Sequence, residues 1–220
     1  RAGVTGDDGP SHNGVWDMSM LGVVPGLRLS APRDEATLRE ELREAIAVSD
    51  GPTVVRFPKG ALPSPLPALD RVGGVDVLRA DPGAEVLLVA VGATATMALE
   101  VASRLSDQGI GVKVVDPRWV LPVPESLVTM ARDGARVVVT IEDGMRHGGV
   151  GAAITVALQD AGVRAPAVSF GLPEAFPAHG PRSQVLAAAG LTAQDISRQV
   201  VERVAALMPE PAGEQVSSEG

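Results

Sequence analysis

Side chains that could exchange protons are concentrated in the first twenty-one residues. Asp7, Asp8, His12 and Asp17 lie there, in a stretch rich in glycine that also contains one proline. Histidine gains and loses a proton near neutral pH, and a neighbouring carboxylate raises its basicity and fixes its orientation. Asp8 and His12 therefore predict general acid–base chemistry. The spacing alone equally allows an Asx turn at Asp8 with His12 as a surface residue.

These side chains must be positioned by a loop. Gly6, Gly9 and Gly14 permit backbone angles that other residues avoid, and Pro10 stiffens the turn between them. Loops on a rigid scaffold commonly carry functional residues. Asp7 is assigned no catalytic role, and Asp17 is expected to cap the short helix that follows.

The first sixty residues continue as the end of an α/β unit. A strand is predicted at 27–30, a helix begins at Asp34 and runs to residue 48, and a β-branched strand covers 53–57. A helix that leads into a strand in this way is typical of a parallel sheet. Residues 61–74, with prolines at 63, 65 and 67, are predicted to be an extended linker.

A second α/β domain is predicted over residues 75–208, with mixed or parallel strands. Glycine 109 should close its first helix, with Thr94 or Thr96 as the N-cap. The tail 209–220 is predicted to be disordered because it is polar and has no apolar face. The predicted strands are 75–79, 85–91, 112–116, 136–142 and 163–170, and the predicted helices are 94–106, 125–132, 148–160, 183–189 and 192–208.

The amino-acid composition argues against several classes of protein. Apolar residues make up 45% of the chain and aromatic residues 2%, so the core must be aliphatic. No apolar run is long enough to cross a bilayer, and no cleavable leader stands at the front, so a cytoplasmic protein is expected. The absence of cysteine excludes disulfides and thiolate metal sites. A net charge of −8 argues against a nucleic-acid surface.

The sequence also bears on three other kinds of site: a metal site, a hydrolase nucleophile and a phosphate-binding turn. The three histidines are scattered, so no metal site is predicted, and no GxSxG elbow supports a hydrolase. The glycine-rich turn after Glu142 and Asp143, at residues 147–151, could cradle a phosphate ahead of a helix. We favour a packing role for this turn, and we expect His179, in a Pro/Gly loop, to be exposed.

The motifs resemble one enzyme family. Residues 8–14 read Asp-Gly-Pro-Ser-His-Asn-Gly and residues 16–19 read Trp-Asp-Met-Ser. Together they resemble the DGxxHxGxxD(L/M)S segment of the 1-deoxy-D-xylulose-5-phosphate synthases, thiamine-diphosphate relatives of transketolase. The resemblance covers the chain to about residue 205. It continues in residues 25–34, 50–60, 115–119, 142–149 and 171–173.

The resemblance implies a fold, a reaction and a site. The expected fold is the end of a transketolase-like pyrimidine-binding domain (1–60) followed by a complete transketolase C-terminal domain (75–208). The reaction joins decarboxylated pyruvate to glyceraldehyde 3-phosphate, with thiamine diphosphate and magnesium as cofactors, in a homodimer. Asp8 and His12 would contact substrate and assist proton transfer. Arg1 and Arg56 would bind the substrate phosphate, for which a guanidinium offers a matching fork of donors. A solvated residue at the strand end is the alternative for Arg56.

The resemblance also implies that the chain is part of a longer enzyme. The family's cofactor-binding domain and its activating glutamate precede this segment, which is assigned no cofactor-binding or metal-binding residue. We therefore expect the isolated chain to have no turnover. The alternatives are another thiamine enzyme, such as a transketolase or a keto-acid dehydrogenase β subunit, and a non-catalytic assembly module.

Overall fold

The computed structural model describes residues 2–61 and 63–207. Arg1 and the predicted disordered tail at 209–220 lie outside these ranges. The helices are α1 Asp17–Leu21, α2 Glu35–Ala47, α3 Ala95–Ser106, α4 Glu125–Arg132, α5 Val150–Asp160, α6 Arg182–Ala188 and α7 Ala193–Ala206. The strands are β1 Arg28–Ser30, β2 Thr53–Val55, β3 Asp70–Val72, β4 Val75–Ala80, β5 Val86–Ala90, β6 Val112–Asp116, β7 Trp119–Leu121, β8 Val137–Met145 and β9 Ala167–Leu172.

The strands form two sheets. The small sheet has the order β2-β1-β7, with β1 and β2 parallel, as the helix between them predicted. The large sheet has the order β3-β4-β6-β5-β8-β9. Its strands β6, β5, β8 and β9 are parallel, and β4 runs antiparallel to both neighbours, so the sheet is mixed.

Alternation along the central strands divides the core between the two faces of the large sheet. Leu88 of β5 packs on one face with α3 and α7, whereas its neighbours Leu87 and Val89 pack on the other with α4 and α5. Leu29 of β1 belongs to this second cluster. The small sheet therefore shares a core with the large one.

Two short strands were not predicted. Residues 70–72 lie within the predicted linker but pair with β4 as a hairpin, closed by Gly73 and Gly74 with φ of 53° and 87°. Two positive-φ residues are what a two-residue hairpin turn requires. Residues 119–121 lie within the range predicted for the second domain but pair with β1 of the small sheet.

The helix ends follow their predicted caps with one exception. Asp34 accepts a hydrogen bond from Thr37 N, and Thr192 accepts one from Asp195 N, as N-caps do. Of the two predicted caps of α3, Thr96 lies inside the helix; Thr94 occupies the N-cap position, but its side chain makes no capping hydrogen bond. Its hydroxyl instead accepts from Val91 N and donates to the carbonyl of Ile141, which ties the preceding 3₁₀ turn to β8. No helix in the described ranges combines the length and apolarity that a membrane span needs.

Glu41 is an unusual member of the interior. It is fully buried on α2, and neither carboxyl oxygen has a hydrogen-bond partner among the described residues. The nearest cation is Arg118, whose Nε lies 3.9 Å from Oε1. Burial, reinforced by the nearby Asp116 carboxylate, raises the pKa of Glu41 to about 9. The folded protein therefore holds a proton on this side chain at neutral pH.

This proton makes stability depend on pH. Between pH 4.5 and about 9 the folded state binds a proton on Glu41 that the unfolded state has lost, so stability falls as pH rises. Glu41→Gln removes this term. At pH 8 the variant should exceed the parent by about 1 kcal/mol or more, with the gap narrowing toward pH 5.

Thermal unfolding at pH 5 and pH 8 measures the effect. Glu100→Gln, at an exposed position on α3, is the matched control and should follow the parent at both values. A pH-independent difference between Glu41→Gln and the parent would contradict the prediction.

Candidate functional site

The predicted loop closes on itself. We call residues 2–14 the motif loop. Its ends are joined by two backbone hydrogen bonds between Gly3 and Gly14, 3.2 and 2.9 Å long. Asn13 Oδ1 crosses the interior and accepts from both the amide and the hydroxyl of Thr5, at 2.8 and 3.1 Å. Gly6 and Gly9 have φ of 85° and 76°, the left-handed values for which glycine was expected.

The motif loop lies beside the segment that follows β2. Ala2 N donates to Phe57 O at 3.4 Å, and Asp8 Oδ2 lies 2.6 Å from Lys59 Nζ. Two motifs about fifty positions apart in the chain thus meet at one place. Arg1, the other predicted phosphate ligand, lies outside the described residues.

Asp8 and His12 are accessible on this loop. The Asp8 side chain is 26% exposed, and His12 is exposed at the end of the 3₁₀ turn Pro10–His12. The Nδ1 of His12 lies 3.0 Å from the Ser11 hydroxyl. Solvent therefore reaches both side chains.

Arg56 is held differently from a solvated strand end. It is only 5% exposed, and two carboxylates bind its guanidinium. Nε donates to Asp17 Oδ2 at 2.8 Å, and one terminal nitrogen donates to Asp143 Oδ1 at 2.7 Å. The predicted phosphate ligand is thus already paired with two protein carboxylates in this structure.

The two carboxylates on Arg56 differ in character. Asp143 is fully buried, and although burial favours its neutral form, the guanidinium groups of Arg56 and Arg182 hold its pKa at about 2. Asp17 is 22% exposed, and burial raises its pKa despite the Arg56 charge. Asp143 is therefore a firmly ionised, enclosed partner, and Asp17 is the partner nearer to solvent.

A cleft of about 700 Å3 opens beside this arginine. Its charged lining residues are Asp17, Arg33, Asp34, Arg56 and Lys59, and β2 supplies apolar residues. Of the predicted site residues that the structure describes, Arg56 lines the cleft and Asp8 pairs with the lining residue Lys59. His12 stands exposed on the motif loop.

The glycine-rich turn at 147–151 is filled by the protein itself. Glu142 is fully buried, and its carboxylate accepts from Val150 N at 3.1 Å and Gly151 N at 2.8 Å. The side chain occupies the anion position at the start of α5, which supports the packing role over a phosphate cradle. Burial raises the pKa of Glu142 to about 7, although the two amides oppose the shift.

The remaining predictions for individual residues have mixed outcomes. Asp17 does accept the Met18 amide at 2.8 Å in the first turn of α1, but its other oxygen binds Arg56, which was not predicted. His179 is exposed as expected, yet its ring packs on Gly9 of the motif loop. Lys59, Asp143 and Arg182 were also missed. Lys59 and Asp143 lie in segments 50–60 and 142–149, which carry the family resemblance, whereas no local pattern marks Arg182.

No cluster of three histidine, cysteine, aspartate or glutamate side chains among the described residues could hold a metal ion. The turn at α5 cannot receive a diphosphate, because Glu142 already binds its amides.

Comparison with known families matches both parts of the chain. The family described as "Transketolase, C-terminal domain" matches residues 73–196, and the family described as "Transketolase, pyrimidine binding domain" matches residues 1–65. A 1-deoxy-D-xylulose-5-phosphate synthase of Rhodococcus jostii is 58% identical over 91% of this chain. A second, from Streptomyces coelicolor, is 60% identical over 94%. The chain spans about a third of the length of these relatives, 31% and 32%.

Solved structures agree in fold. A split-gene transketolase, described as an inactive β4 tetramer, superposes with a TM-score of 0.76 at 27% identity, over 89% of this chain and 63% of its own. The transketolase of Campylobacter jejuni superposes with a TM-score of 0.70 at 19% identity, over 90% of this chain and 29% of its own. These structures confirm the predicted α/β fold.

Because Glu142 fills this turn, we predict that Gly149 cannot be replaced by a larger residue without loss of stability. A Cβ at Gly149 would lie 2.2 Å from the backbone oxygen of Met145 and 2.5 Å from Oε2 of the fully buried Glu142. Gly149→Ala should lower the free energy of unfolding by about 2 kcal/mol or more, as overpacking does.

Gly134→Ala is the matched control. No heavy atom lies within 4 Å of its Cβ position, so this variant should stay within about 0.5 kcal/mol of the parent. Urea unfolding of both variants decides the matter. Equal midpoints for the two variants would show that the turn can relax around a methyl group.

Proposed function

The chain belongs to the transketolase family, and on that premise we propose that it is the carboxyl-terminal part of a 1-deoxy-D-xylulose-5-phosphate synthase. The proposed reaction of the whole protein decarboxylates pyruvate and joins the two-carbon unit to glyceraldehyde 3-phosphate. The product would feed isoprenoid, thiamine and pyridoxal synthesis. Support comes from relatives of that name that are 58% and 60% identical over nine-tenths of the chain.

The observation that carries the proposal is the meeting of the two motifs. The motif loop, with Asp8 and His12, lies against the segment of Arg56 and Lys59, joined by the 2.6 Å ion pair between Asp8 and Lys59. An acid–base pair and a cationic cleft side by side suit a small aldehyde that carries a phosphate. A keto-acid dehydrogenase acceptor, a lipoyl group, would have no use for a phosphate ligand.

We assign the roles as follows. Asp8 and His12 contact the oxygens of the acceptor and move its protons, and Arg56 with Arg1 binds its phosphate. In this proposal the phosphate replaces one of the two carboxylates on Arg56. Asp17 is the replaceable partner because it is partly exposed and lines the cleft, whereas Asp143 is enclosed. Lys59 adds a further positive charge to those of Arg33 and Arg56 at the cleft.

Thiamine diphosphate and magnesium belong, in this proposal, to the whole protein. The described residues contain no metal-ligand cluster, and Glu142 fills the glycine-rich turn at the start of α5. For the whole protein we also propose a homodimer and a cytoplasmic location, on the strength of the family resemblance.

A second candidate function has one observation in its favour. The similarity to a split-gene transketolase fits a separately encoded subunit that acts only with a partner chain. The isolated chain, supplied with thiamine diphosphate, magnesium, pyruvate and glyceraldehyde 3-phosphate, should give no product by mass spectrometry. Product from the isolated chain would contradict the proposed division of labour. Product upon mixing with a separately expressed amino-terminal half would favour the subunit.

Substitution of the loop histidine tests the assigned chemistry. In the longer protein that contains this segment, His12→Ala should lower kcat/KM for glyceraldehyde 3-phosphate by about 10²-fold or more, because a positioned proton donor is lost. His147→Ala is the matched control, since His147 is also exposed, at 82%, and pairs with Glu174. Equal kinetics for the two variants would remove His12 from the mechanism.

A further inference from the structure

The candidate site is completed from the carboxyl-terminal domain. We propose that Asp143 and Arg182 are positioning residues that orient Arg56 toward the acceptor phosphate and hold the motif loop beside it. The inference rests on the proposed function, because it assigns these residues to the same phosphate site. Neither residue touches the substrate in this scheme.

Asp143 lies where three segments meet. Its Oδ1 accepts from Arg56 at 2.7 Å and its Oδ2 from Arg182 at 2.5 Å. Gly3 of the motif loop packs directly on the same carboxylate, where a Cβ would lie 2.1 Å from Oδ2. One enclosed side chain thus sets the position of the end of β2, the start of the motif loop and the start of α6.

The two sides of the Arg56 guanidinium differ: Asp143 binds the fixed side in the interior, and Asp17 binds the open side, which faces the cleft. Asp143 holds the terminal end of the guanidinium and cannot be replaced by a solute, because it is fully buried. Asp17 binds Nε on the side that lines the cleft. The fixed bond therefore aims the Nε side of the guanidinium toward the place where a phosphate would arrive. A planar guanidinium binds phosphate in specific directions, so this aim decides affinity.

Arg182 ties the motif loop to the same carboxylate. One terminal nitrogen donates to Val4 O at 2.8 Å, and the other binds Asp143. The segment just before it adds two contacts. Phe176 meets Trp16 edge to face, with ring centroids 5.5 Å apart, and the His179 ring packs on Gly9. The loop that carries Asp8 and His12 is thereby held from the carboxyl-terminal side.

The neighbouring carboxyl group shows that this role is specific to Asp143. Glu142 and Asp143 are adjacent in β8, but their side chains bind different partners. Glu142 binds the amides of α5, whereas Asp143 binds the two arginines. Of these two carboxyl groups, only that of Asp143 forms a hydrogen bond with Arg56.

The test compares two acceptors in the longer protein that contains this segment. The measured quantity is the ratio of kcat/KM for glyceraldehyde 3-phosphate to that for unphosphorylated glyceraldehyde. The parent should show a large ratio, which reports the phosphate site. Asp143→Asn keeps the shape of the side chain but removes its charge. It should lower the ratio about tenfold or more, equivalent to about 1.4 kcal/mol, mainly through KM for the phosphorylated acceptor.

Arg182→Lys is the milder variant and decides the matter if Asp143→Asn fails to fold. Lysine keeps the charge but cannot bind both Asp143 and Val4 O in the fork geometry, so the ratio should fall here as well. Arg198→Lys is the control, since Arg198 pairs with Glu202 on the exposed face of α7 and should leave the ratio unchanged.

The outcomes separate the inference from the proposed function. A parent ratio near one would overturn the phosphate site and the inference with it, before any variant is made. A large parent ratio that survives in a folded Asp143→Asn or Arg182→Lys variant would overturn the inference alone. Equal loss of activity with both acceptors, with a lowered Tm, would mean a purely structural role and would also overturn it.

Discussion

The buried ion pair between Arg56 and Asp143 is the contact on which the arrangement of the site depends. It joins the residue after β2 of the small sheet to the end of β8 in the large sheet, with both side chains almost fully enclosed. Removing either partner would leave the other with one counter-charge instead of two, Asp17 for Arg56 or Arg182 for Asp143, and would destabilise the fold. The two sheets are therefore held in one relative position at the place where the motif loop begins.

A second enclosed cluster joins the same two sheets elsewhere. Arg33, just before α2, donates to Asp76 of β4 at 2.7 Å and to Asp116 of β6 at 2.8 Å. Burial raises the pKa of Asp116 to about 6 in spite of Arg33, while Arg71 and Arg33 together lower that of Asp76 against the effect of burial. Polar contacts of this kind are directional, whereas the hydrophobic burial around Leu29 is not.

The elements that could be predicted are those with enough residues to show a period. The helix Glu125–Arg132 has its predicted bounds, and β5 and β6 follow from runs of valine and leucine. The strands at 70–72 and 119–121 were missed because they are defined by their pairing with β4 and with β1, which lies about ninety positions away from residues 119–121. Residues 17, 56, 143 and 182 share no spacing that would show them to be neighbours, so the ion cluster became visible only in the fold.

The sequence was enough to name candidate residues in the motif loop, but it did not predict the geometry of the site. Asp8, His12 and Arg56 could be named as candidates from types and motifs, but their orientations come from Asp143 and Arg182, at least 87 positions away from Arg56 along the chain. In the cluster two cations and two carboxylates balance. A phosphate that takes the place of Asp17 therefore exchanges one anion for another at Arg56, and the enclosed charge is not left unpaired during the exchange. An arginine that carried Asp143 alone would present its charge permanently to the cleft and would bind any anion. Asp17 thus lowers the affinity of the open side of Arg56 for every anion, because an incoming anion must displace a carboxylate that is already in place.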